Sequence, residues 1–582
     1  MRSSFLSLPA LLLACIAANP TAAGEVQCEY RQPGVRNVYW GDLHVHTAYS
    51  LDAYGFGTVR TPEDAFRFAR GEPTTLPDGT RVAIDRPLDF MATTDHAEWF
   101  DFLSLCDEPA FTAHPQCAAL HANNNPANGG KVFGGFVVPS ITRAEPATID
   151  ICRDNPTRCA DLAQSQWLRI QEQANAANDP CRFSAIIGFE WSATPNASHT
   201  HRNVIFRNAS VSRQAIDYIR YPKLGDLYGQ LDRQCDPASG CAVMTIPHNT
   251  NMGDGESFDV ETESDALLRG RARYERLVEI FQEKGNSECL SPLGVNDEAD
   301  CTLEVRLSKH SQTAKPADFT AGEWEHMRAT YVRGLLLRGL AAWARSGEAR
   351  RNPLQLGIVG ATDNHAATPG FVQEADWQGS VFAIGSFDRA MTRIDWNPGG
   401  ITGVWAEQNT RESLFDAMQR REVYATSGTR IRLRFDAATG DDALACDRQD
   451  DSAGLRPMGS ELNRVDGKPR FRVSAQFDRV PLERVEIVRG AWNETGYETT
   501  VVNAWEGEGR DVCATWTDSD FDDTHPAFWY ARVQETASPR WSAAMCQRAG
   551  RCEEFPAANT RVKERAWSSP IWYLPGGDVD GR

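Results

Sequence analysis

Residues 39–50 read YWGDLHVHTAYS, in which two histidines, His44 and His46, are separated by a single residue. A short apolar run ends at Trp40, and polar residues begin soon after it. Alternate side chains of an extended chain share one face, so the two imidazoles point to the same side. Neutral imidazoles held side by side are common ligands of divalent metals. The stretch therefore predicts a strand that ends in a pair of metal ligands.

Four later apolar runs of strand length end in the same way, with a histidine or an acid just after them. Runs this apolar are typical of parallel strands that are buried on both faces. Helical patterns alternate with them, the clearest over residues 61–70, 322–346 and 410–418. Alternating strands and helices predict an α/β fold of βα units, which we expect to close into a TIM-like barrel. The polar residues that end the four runs are His96, Glu190, His248, and Asp363 with His365.

The strands of such a barrel carry their C-terminal ends to one mouth, so the predicted ligands should meet there. They are imidazoles and carboxylates without a thiolate, a set that suits Zn, Mn or Fe. Their number exceeds what one tetrahedral ion needs. We therefore expect two or three divalent ions that share bridging carboxylates, with Glu190 and Asp363 as the bridges. Metals held in this way lower the pKa of a bound water and polarise an ester oxygen, which predicts ester hydrolysis.

The overall charge of the chain argues against a polyanionic partner. The 582 residues include 60 lysines and arginines against 79 aspartates and glutamates, a net charge of −19. Such a balance repels nucleic acid and anionic membrane surfaces. A small-molecule ester is the expected partner, since the local field of a metal site can oppose the global charge.

Residues 1–23 have the composition of a cleaved secretory signal, with one arginine, an apolar core from Phe5 to Ala18 and small residues at the end. Residues 12–15 match a lipoprotein cleavage box only loosely, so lipidation is the lesser alternative. No later segment is long and apolar enough to predict a membrane span. We therefore expect a periplasmic or secreted protein.

Cysteine usage supports export. Cleavage after Ala23 would leave 14 of the 15 cysteines, an even number, as expected where all of them pair in an oxidising compartment. Spacing alone does not fix the connectivity, and Cys28, Cys181, Cys446 and Cys513 have no obvious partner. Five pairs of near neighbours predict local disulfides: Cys106 with Cys117, Cys152 with Cys159, Cys235 with Cys241, Cys289 with Cys301, and Cys546 with Cys552.

The chain changes character near residue 431, where runs such as 431–435, 471–475 and 528–533 alternate apolar and polar residues. This period is typical of half-buried antiparallel strands. The expected organisation is a barrel over residues 24–430, with Cys-rich insertions at about 104–165 and 250–330, and a β-sandwich-like domain over 431–582.

The chain carries five motifs in this order: DLHVHTAYSLD (42–52), ATTDHAEW (92–99), GFEWS (188–192), IPHN (246–249) and ATDNH (361–365). They resemble the successive metal motifs of the polymerase and histidinol phosphatase (PHP) superfamily. The resemblance implies a distorted seven-stranded βα barrel that holds up to three metals and most often cleaves phosphate esters. A further stretch, NPGGITGVWAEQNTRESLFDAMQRREVYATSGTRIRLRF (397–435), resembles a signature of large secreted members that are grouped as a domain of unknown function.

The resemblance also implies a role for each matching residue. Asp52 stands where many relatives have a third histidine, and it would ligate as a harder, anionic group. The histidine after the glutamate motif is His199 or His201, and we favour His201 because a strand-like run follows it directly. Asp95 would hold an imidazole in the tautomer that ligation needs, so we predict it as a catalytic residue beside the two bridging acids. The implied metal ligands are His44, His46, Asp52, His96, Glu190, His201, His248, Asp363 and His365.

Two cations are candidate contacts of an anionic substrate. Residues 278–285 read as another barrel strand, with Lys284 at its end, and Arg430 follows Thr426-Ser427-Gly428. The other histidines have no partners nearby in sequence, and we expect them at the surface, outside the metal cluster. They are His114, His121, His310, His326 and His525.

Three functions are compatible with these observations. The first is a phosphomonoesterase or phosphodiesterase, the activity that the resemblance implies. The second is hydrolysis of a carboxylic, carbamate or sulfate ester at the same site. The third belongs to another class, a non-catalytic metal-holding or glycan-binding surface protein. The complete ligand set argues against the third, because loss of catalysis would usually cost some ligands.

Overall fold

A computed structural model describes most of the chain. The predicted signal segment 1–23 and His310 lie outside the described residues. The residues described are 26–29, 31–294, 301–309, 312–313, 315–346, 352–438, 444, 446, 454–463, 465 and 467–576.

The described residues form strands β1–β27. Those of the first three quarters of the chain are β1 (Asn37–Asp42), β2 (Thr74–Thr75), β3 (Arg81–Val82), β4 (Phe90–Ala92), β5 (Ser184–Ile186), β6 (Gly188–Trp191), β7 (Arg202–Phe206), β8 (Val243–Pro247), β9 (Leu277–Gln282), β10 (Gly285–Asn286), β11 (Ser308–Lys309), β12 (Gln312–Thr313), β13 (Gly357–Gly360), β14 (Ile401–Ala406) and β15 (Val423–Thr426). The later ones are β16 (Arg432–Ala438), β17 (Leu455–Pro457), β18 (Glu461–Leu462), β19 (Arg470–Gln476), β20 (Leu482–Asn493), β21 (Gly496–Glu506), β22 (Val512–Thr517), β23 (Ala527–Glu535), β24 (Ser538–Pro539), β25 (Arg561–Val562), β26 (Arg565–Ser568) and β27 (Ile571–Tyr573).

Helices lie mainly between the earlier strands. A typical one is the second, where Thr61 and Asp64 form a capping box and Pro62 occupies the first helical position. The helices are α1 (Leu51–Gly55), α2 (Pro62–Ala69), α3 (Phe100–Cys106), α4 (Pro115–Asn123), α5 (Gly129–Val132), α6 (Val138–Ile141), α7 (Asp150–Asp154), α8 (Pro156–Ala177), α9 (Leu224–Gln234), α10 (Asp265–Tyr274), α11 (Ala321–Arg328), α12 (Val332–Arg345), α13 (Phe387–Thr392), α14 (Arg411–Gln419) and α15 (Trp541–Ala549).

The strands that end in the predicted ligands belong to three sheets. β1, β4 and β5 are parallel neighbours at one end of an eleven-stranded sheet, and β14 pairs antiparallel with β1. β6, β7 and β8 form an antiparallel sheet, and β9 and β13 pair in parallel. The predicted α/β class is therefore confirmed, with a mixed rather than parallel strand arrangement.

A closed seven-stranded barrel is not seen among the described residues. Continuous pairing stops between the three sheets, which single β-bridges join: Val45 with Asn364, His96 with Glu190, and Thr245 with Glu275. Part of the reason is the antiparallel β7. Only residues 192–201 connect β6 to β7, and a parallel crossover needs about a dozen residues or more.

A shared apolar core nevertheless holds these strands together. It includes buried residues of β5, β8, β9, β13 and β14: Ile186, Met244, Leu277, Val359 and Val404. Burying a large aliphatic side chain contributes about 1.5–3 kcal/mol relative to leaving it exposed. Because the strands are fixed against one core, the polar residues that follow them are carried to the same end of the assembly.

Strands after residue 431 pack as two layers. β17, β16, β19 and β22 form one sheet, whereas β20, β21, β23, β26 and β27 join the eleven-stranded sheet. Buried residues of both sheets, such as Phe435, Phe471, Ile487 and Trp529, share one apolar cluster. This is the β-rich, sandwich-like arrangement that the sequence predicts. Since β15 pairs with β26, one sheet runs through the predicted boundary near residue 430, and the boundary itself stays a prediction.

Seven disulfides link the cysteines that follow the predicted signal segment. The five local pairs predicted from the sequence all form. The four remaining cysteines pair over longer separations, Cys28 with Cys181 and Cys446 with Cys513. Within the described part of the chain, no helix has the length and apolarity needed to cross a membrane.

Candidate metal centre

The predicted ligands lie at one end of the strand assembly, just beyond the strands that carry them. Most follow the C-terminal ends of β1, β4, β8 and β13, and Glu190 is the third residue of β6. His201 directly precedes β7, and because β7 runs antiparallel its start lies beside the ends of β6 and β8. All of them are 6% exposed or less: His44, His46, Asp52, His96, Glu190, His201, His248, Asp363 and His365.

The first group of ligand atoms surrounds the histidine pair after β1. Nε2 of His44 and Nε2 of His46 lie 3.2 Å apart. Oδ1 of Asp363 lies 3.3 Å from the first nitrogen and 3.1 Å from the second. Oε2 of Glu190 completes the group at 3.2 and 3.3 Å from the same two nitrogens. Two imidazoles and two carboxylates at these separations could hold one divalent ion.

A second group uses the other oxygen of Glu190. Its Oε1 lies 2.6 Å from Nδ1 of His201 and 3.5 Å from Nε2 of His248. The three side chains are close enough together to bind one ion. Glu190 therefore presents one oxygen to each of two adjacent groups, which is the geometry of a bridging carboxylate.

The third group is built around Asp52 at the start of α1. Oδ2 of Asp52 lies 3.3 Å from Nε2 of His96 and 3.1 Å from Nε2 of His365. His46 lies beside the same two histidines, with its ring stacked on both at centroid distances of 4.3 and 4.1 Å. The structure thus places Asp52 beside His96 and His365, and its role as a ligand stays a prediction.

Asp95 acts on the cluster through Ser50. The Ser50 hydroxyl donates to Oδ1 of Asp95 (2.8 Å), so its oxygen can only accept from Nδ1 of His46, 2.9 Å away. Thr47 holds the same carboxylate through its backbone N–H and its hydroxyl. His46 is therefore protonated on Nδ1 and offers the lone pair of Nε2 to a metal. The Asp95 carboxylate bonds to Thr47 and Ser50 rather than to a ligand side chain, which makes Asp95 a positioning residue.

Two other histidines are oriented in a comparable way. Nε2 of His201 lies 2.7 Å from Oγ1 of Thr194, which itself donates to the Ser192 carbonyl, so Nδ1 of His201 keeps its lone pair. Nδ1 of His365 lies 2.7 Å from the carbonyl of Asp363, to which it donates, leaving Nε2 free. In each histidine the free nitrogen is the one that faces the ligand group.

Unpartnered buried atoms support the assignment of a metal site. Among the described residues, Oε1 of Glu190, Nδ1 of His201, both ring nitrogens of His248 and Oδ1 of Asp363 have no hydrogen-bond partner. Buried polar atoms are normally satisfied, and a divalent cation would satisfy all of these. Burial also lowers the pKa of His201 to about 4, which keeps its imidazole in the neutral form that ligates.

Two acids beside the cluster were not predicted from the sequence, one on β9 and the other just after it. Oε2 of Glu279 lies 2.9 Å from Nδ1 of His44, and Oε1 of Glu283 lies 3.4 Å from Nδ1 of His365. A carboxylate on the far nitrogen of a ligating histidine fixes its tautomer and raises its basicity. The signal was present, because Glu279 is a charged residue inside the apolar run 277–281.

The two predicted substrate contacts have different positions. Nζ of Lys284 pairs with Oδ2 of Asp363, so the lysine lies at the cluster. The structure does not bring Arg430 there. Its guanidinium donates to the backbone carbonyls of Arg86 and Pro87, which precede β4 and so lie at the end of that strand away from His96.

The histidines expected outside the cluster have other contacts. His121 bonds to the Cys106 carbonyl, His525 stacks on Trp492, and His326 lies 4.0 Å from Glu256. His114 caps the start of α4. His199 stacks near His201 at a centroid distance of 4.8 Å, but it belongs to none of the ligand groups found among the described residues.

Fold and site together define a mixed α/β protein with a buried cluster of imidazoles and carboxylates that can hold several metal ions. The model of a family described as a protein of unknown function (DUF3604) matches residues 33–512 and 498–575, and the chain belongs to this family. The predicted membership of a family of unknown function is thus confirmed, whereas membership of the PHP superfamily stays a prediction.

Two further comparisons have low identity. An uncharacterized protein of Chlamydia pneumoniae is 22% identical over 335 residues, which are 56% of this chain and 40% of that protein. The match therefore spans less than half the length of this relative. A crystal structure from Bacteroides vulgatus, described as a two-domain protein containing a predicted PHP-like metal-dependent phosphoesterase, is 11% identical, with a TM-score of 0.29 and coverage of 88% of this chain and 95% of that one. A superposition this poor does not establish a shared fold.

Proposed function

We propose that this chain is an exported, multinuclear metal-dependent hydrolase of the PHP type that cleaves phosphate esters. One observation carries the proposal: the two oxygens of Glu190 face two different groups of buried histidines. Adjacent metal ions that share a carboxylate are the usual apparatus for displacing an oxygen from phosphorus. A purely structural metal site usually holds a single four-coordinate ion and has no need of a carboxylate shared between adjacent groups.

Each ligand group would hold one divalent ion, Zn, Mn or Fe, on the chemistry of its donors. Bound ions would supply a Lewis acid for an ester oxygen and a water whose pKa is lowered. The groups are His44, His46, Glu190 and Asp363; Glu190, His201 and His248; and Asp52, His96 and His365.

Other residues of the chain prepare the site for this chemistry. Lys284 holds Oδ2 of Asp363 and so leaves Oδ1 directed at the histidine pair. Nδ1 of His46 donates to Ser50, whose hydroxyl donates to Asp95, and Nδ1 of His44 donates to Glu279. Nearly complete burial excludes bulk water, which strengthens the electrostatic interactions of the cluster.

Export is proposed from the cysteines. Seven disulfides are expected of a protein from an oxidising compartment and are rare in the cytosol. Together with the signal-like composition of residues 1–23, they support a periplasmic or extracellular location.

The test is metal analysis of protein expressed in the periplasm, followed by a panel of chromogenic phosphate, sulfate and carboxylate esters. We expect two or three bound ions per chain and turnover of phosphate esters that a chelator abolishes and metal restores. Turnover of carboxylic or sulfate esters alone would contradict the phosphate assignment. Full metal content without turnover of any ester would instead favour a metal-holding surface protein.

A further inference from the structure

A buried arginine lies beside the metal centre without a complete set of acceptors. Arg306 is 6% exposed, and its guanidinium stacks 4.0 Å above the ring of Trp396. Its Nε lies 3.4 Å from Asp395, and neither Nε nor Nη1 has a hydrogen-bond partner among the described residues. Burying a guanidinium is costly unless acceptors are supplied, so this side chain is suited to an anionic ligand.

The backbone ties Arg306 to the end of β9. The side-chain amide of Asn251 donates to the carbonyls of both Lys284 and Arg306, at 3.1 Å each. Gly285 permits the close approach, because a Cβ there would stand 3.0 Å from Cβ of Arg306. The main chain of Arg306 is thereby held beside that of Lys284, whose side chain contacts Asp363.

A chain of rings connects the guanidinium to the ligand cluster. The Trp396 ring packs against Phe382 at a centroid distance of 5.1 Å, and Phe382 packs against His365 at 5.5 Å. The next residue of the Trp396 loop, Asn397, donates its backbone N–H to the carbonyl of Glu283. Burial lowers the pKa of Arg306 to about 10, and the charges of Glu283 and Asp363 act on it in the opposite direction. The guanidinium therefore remains charged and lies within electrostatic range of the site.

We propose that Arg306 binds the anionic group of the substrate at the metal centre, and that this group is the dianion of a phosphate monoester. The inference rests on the proposed function and narrows its substrate class. A phosphate monoester carries about −1.5 to −2 charges near neutral pH. A sulfate ester or a phosphate diester carries one charge, and a carboxylic ester carries none.

Bound divalent ions and a fixed cation would act together on a dianion. The carboxylates of Asp52, Glu190 and Asp363 would offset part of the charge of the ions, and Arg306 adds a positive charge within electrostatic range of the site. A planar guanidinium held against an indole loses little freedom on binding and offers a fork of parallel N–H groups to two phosphate oxygens.

The experiment compares Arg306→Gln and Arg306→Lys with the wild type, all loaded with metal. Arg434→Gln is the matched control, because Arg434 also stacks on a tryptophan, Trp405, at 4.3 Å but lies on β16. Binding of inorganic phosphate and of acetate is measured by calorimetry, and metal content by mass spectrometry. We expect at least a tenfold loss of phosphate affinity in Arg306→Gln, a smaller loss in Arg306→Lys, and unchanged acetate affinity and metal content.

Wild-type phosphate affinity in a fully metal-loaded Arg306→Gln would overturn the proposal. So would an equal loss of acetate affinity, because Arg306 would then affect the metals rather than select a dianion. If Arg306→Gln loses metal, the phosphate affinity of Arg306→Lys is the test instead. Wild-type phosphate affinity with full metal content in Arg306→Lys would then overturn the proposal. Failure of the wild type to hydrolyse any phosphate ester would refute the proposed function, while the phosphate titration would still report on Arg306.

Discussion

Nδ1 of His201 lies 2.6 Å from Oε1 of Glu190, and neither atom has a hydrogen-bond partner among the described residues. Thr194 occupies the other nitrogen of His201, so the two facing atoms both carry lone pairs. Two buried lone pairs at this distance repel each other unless a cation interacts with both. The pair is therefore the most direct structural indication of a metal in this protein.

Replacing the bridging acid should release metal without unfolding the chain. Glu190→Gln keeps the shape of the side chain but removes its negative charge, and both adjacent ligand groups depend on it. We expect loss of at least one ion per chain and loss of activity by orders of magnitude, with little change in circular dichroism. Metal content equal to that of the wild type would refute the bridging role.

Single alanine replacements should separate ligands from other histidines. His44, His46, His96, His248 and His365 each lie within 3.6 Å of a carboxylate oxygen of the cluster. Losing one ligand removes both Lewis acidity and an activated water, so each variant should lose metal and most turnover. Alanine at four of the described histidines outside the cluster should leave both unchanged: His114, His121, His326 and His525. A ligand variant with full metal and normal turnover would remove that residue from the site.

The hydroxyl that links Asp95 to His46 can be tested separately from the ligands. Ser50→Ala leaves Nδ1 of His46 without its acceptor, so the preferred tautomer is lost. We expect metal affinity to fall by about 10- to 100-fold, as is usual for partners of metal-bound histidines. Ser184→Ala is the control, because Ser184 is also fully buried and donates to Asn409 away from the cluster. Equal metal affinity in the two variants would contradict the positioning role.

The ligands could be predicted because each belongs to a local pattern. An apolar strand that ends in histidine or acid is visible in the sequence, as with His96 and His248. Arg306 could not be found in this way, because its position depends on contacts with Asn251 and Trp396, which are 55 and 90 residues distant (306 − 251 and 396 − 306). The partners of the ligands, such as Ser50, are equally invisible, since loop geometry decides which hydroxyl meets which imidazole.

The fold was predictable in class but not in connectivity. Alternating strands and helices indicated an α/β protein, and the change of period near residue 431 indicated the β-rich part. The expectation of parallel strands failed at β7, although the short connection over residues 192–201 already favoured an antiparallel neighbour. Pairing of β15 with β26, about 140 residues later, is a long-range contact that no local pattern encodes.

A buried acid in the C-terminal part should make stability depend on pH. Burial raises the pKa of Glu535 to about 7, and Thr429 donates a hydrogen bond to its Oε1. The native state therefore binds this proton more tightly than the unfolded chain does. The resulting stabilisation is complete below the ordinary glutamate pKa of about 4.3 and is lost as pH rises through about 7.

Glu535→Gln should remove this loss, because a glutamine accepts the same hydrogen bond without becoming charged. Urea unfolding measures the free energy of unfolding at pH 5 and at pH 8. Relative to the variant, the wild type should lose up to about 3 kcal/mol of this free energy between the two pH values. The difference between variant and wild type reports on Glu535 together with its effect on Glu564, whose pKa the charge of Glu535 raises. A difference that is the same at both pH values would contradict the raised pKa.

The disulfide between Cys28 and Cys181 should contribute more to stability than the local ones. It closes a separation of 153 residues, whereas Cys235 and Cys241 are separated by 6. A cross-link restricts the unfolded chain more when the closed loop is longer, and these two separations differ by about 3 kcal/mol in loop-closure free energy. The double variant Cys28→Ser/Cys181→Ser should therefore lose about that much more unfolding free energy in urea than Cys235→Ser/Cys241→Ser. Thiol titration of the denatured, unreduced wild type should find no free cysteine. Equal losses in the two variants would mean that contacts around each bond, such as the one from the Cys28 N–H to Gln408, outweigh the entropy of the loop.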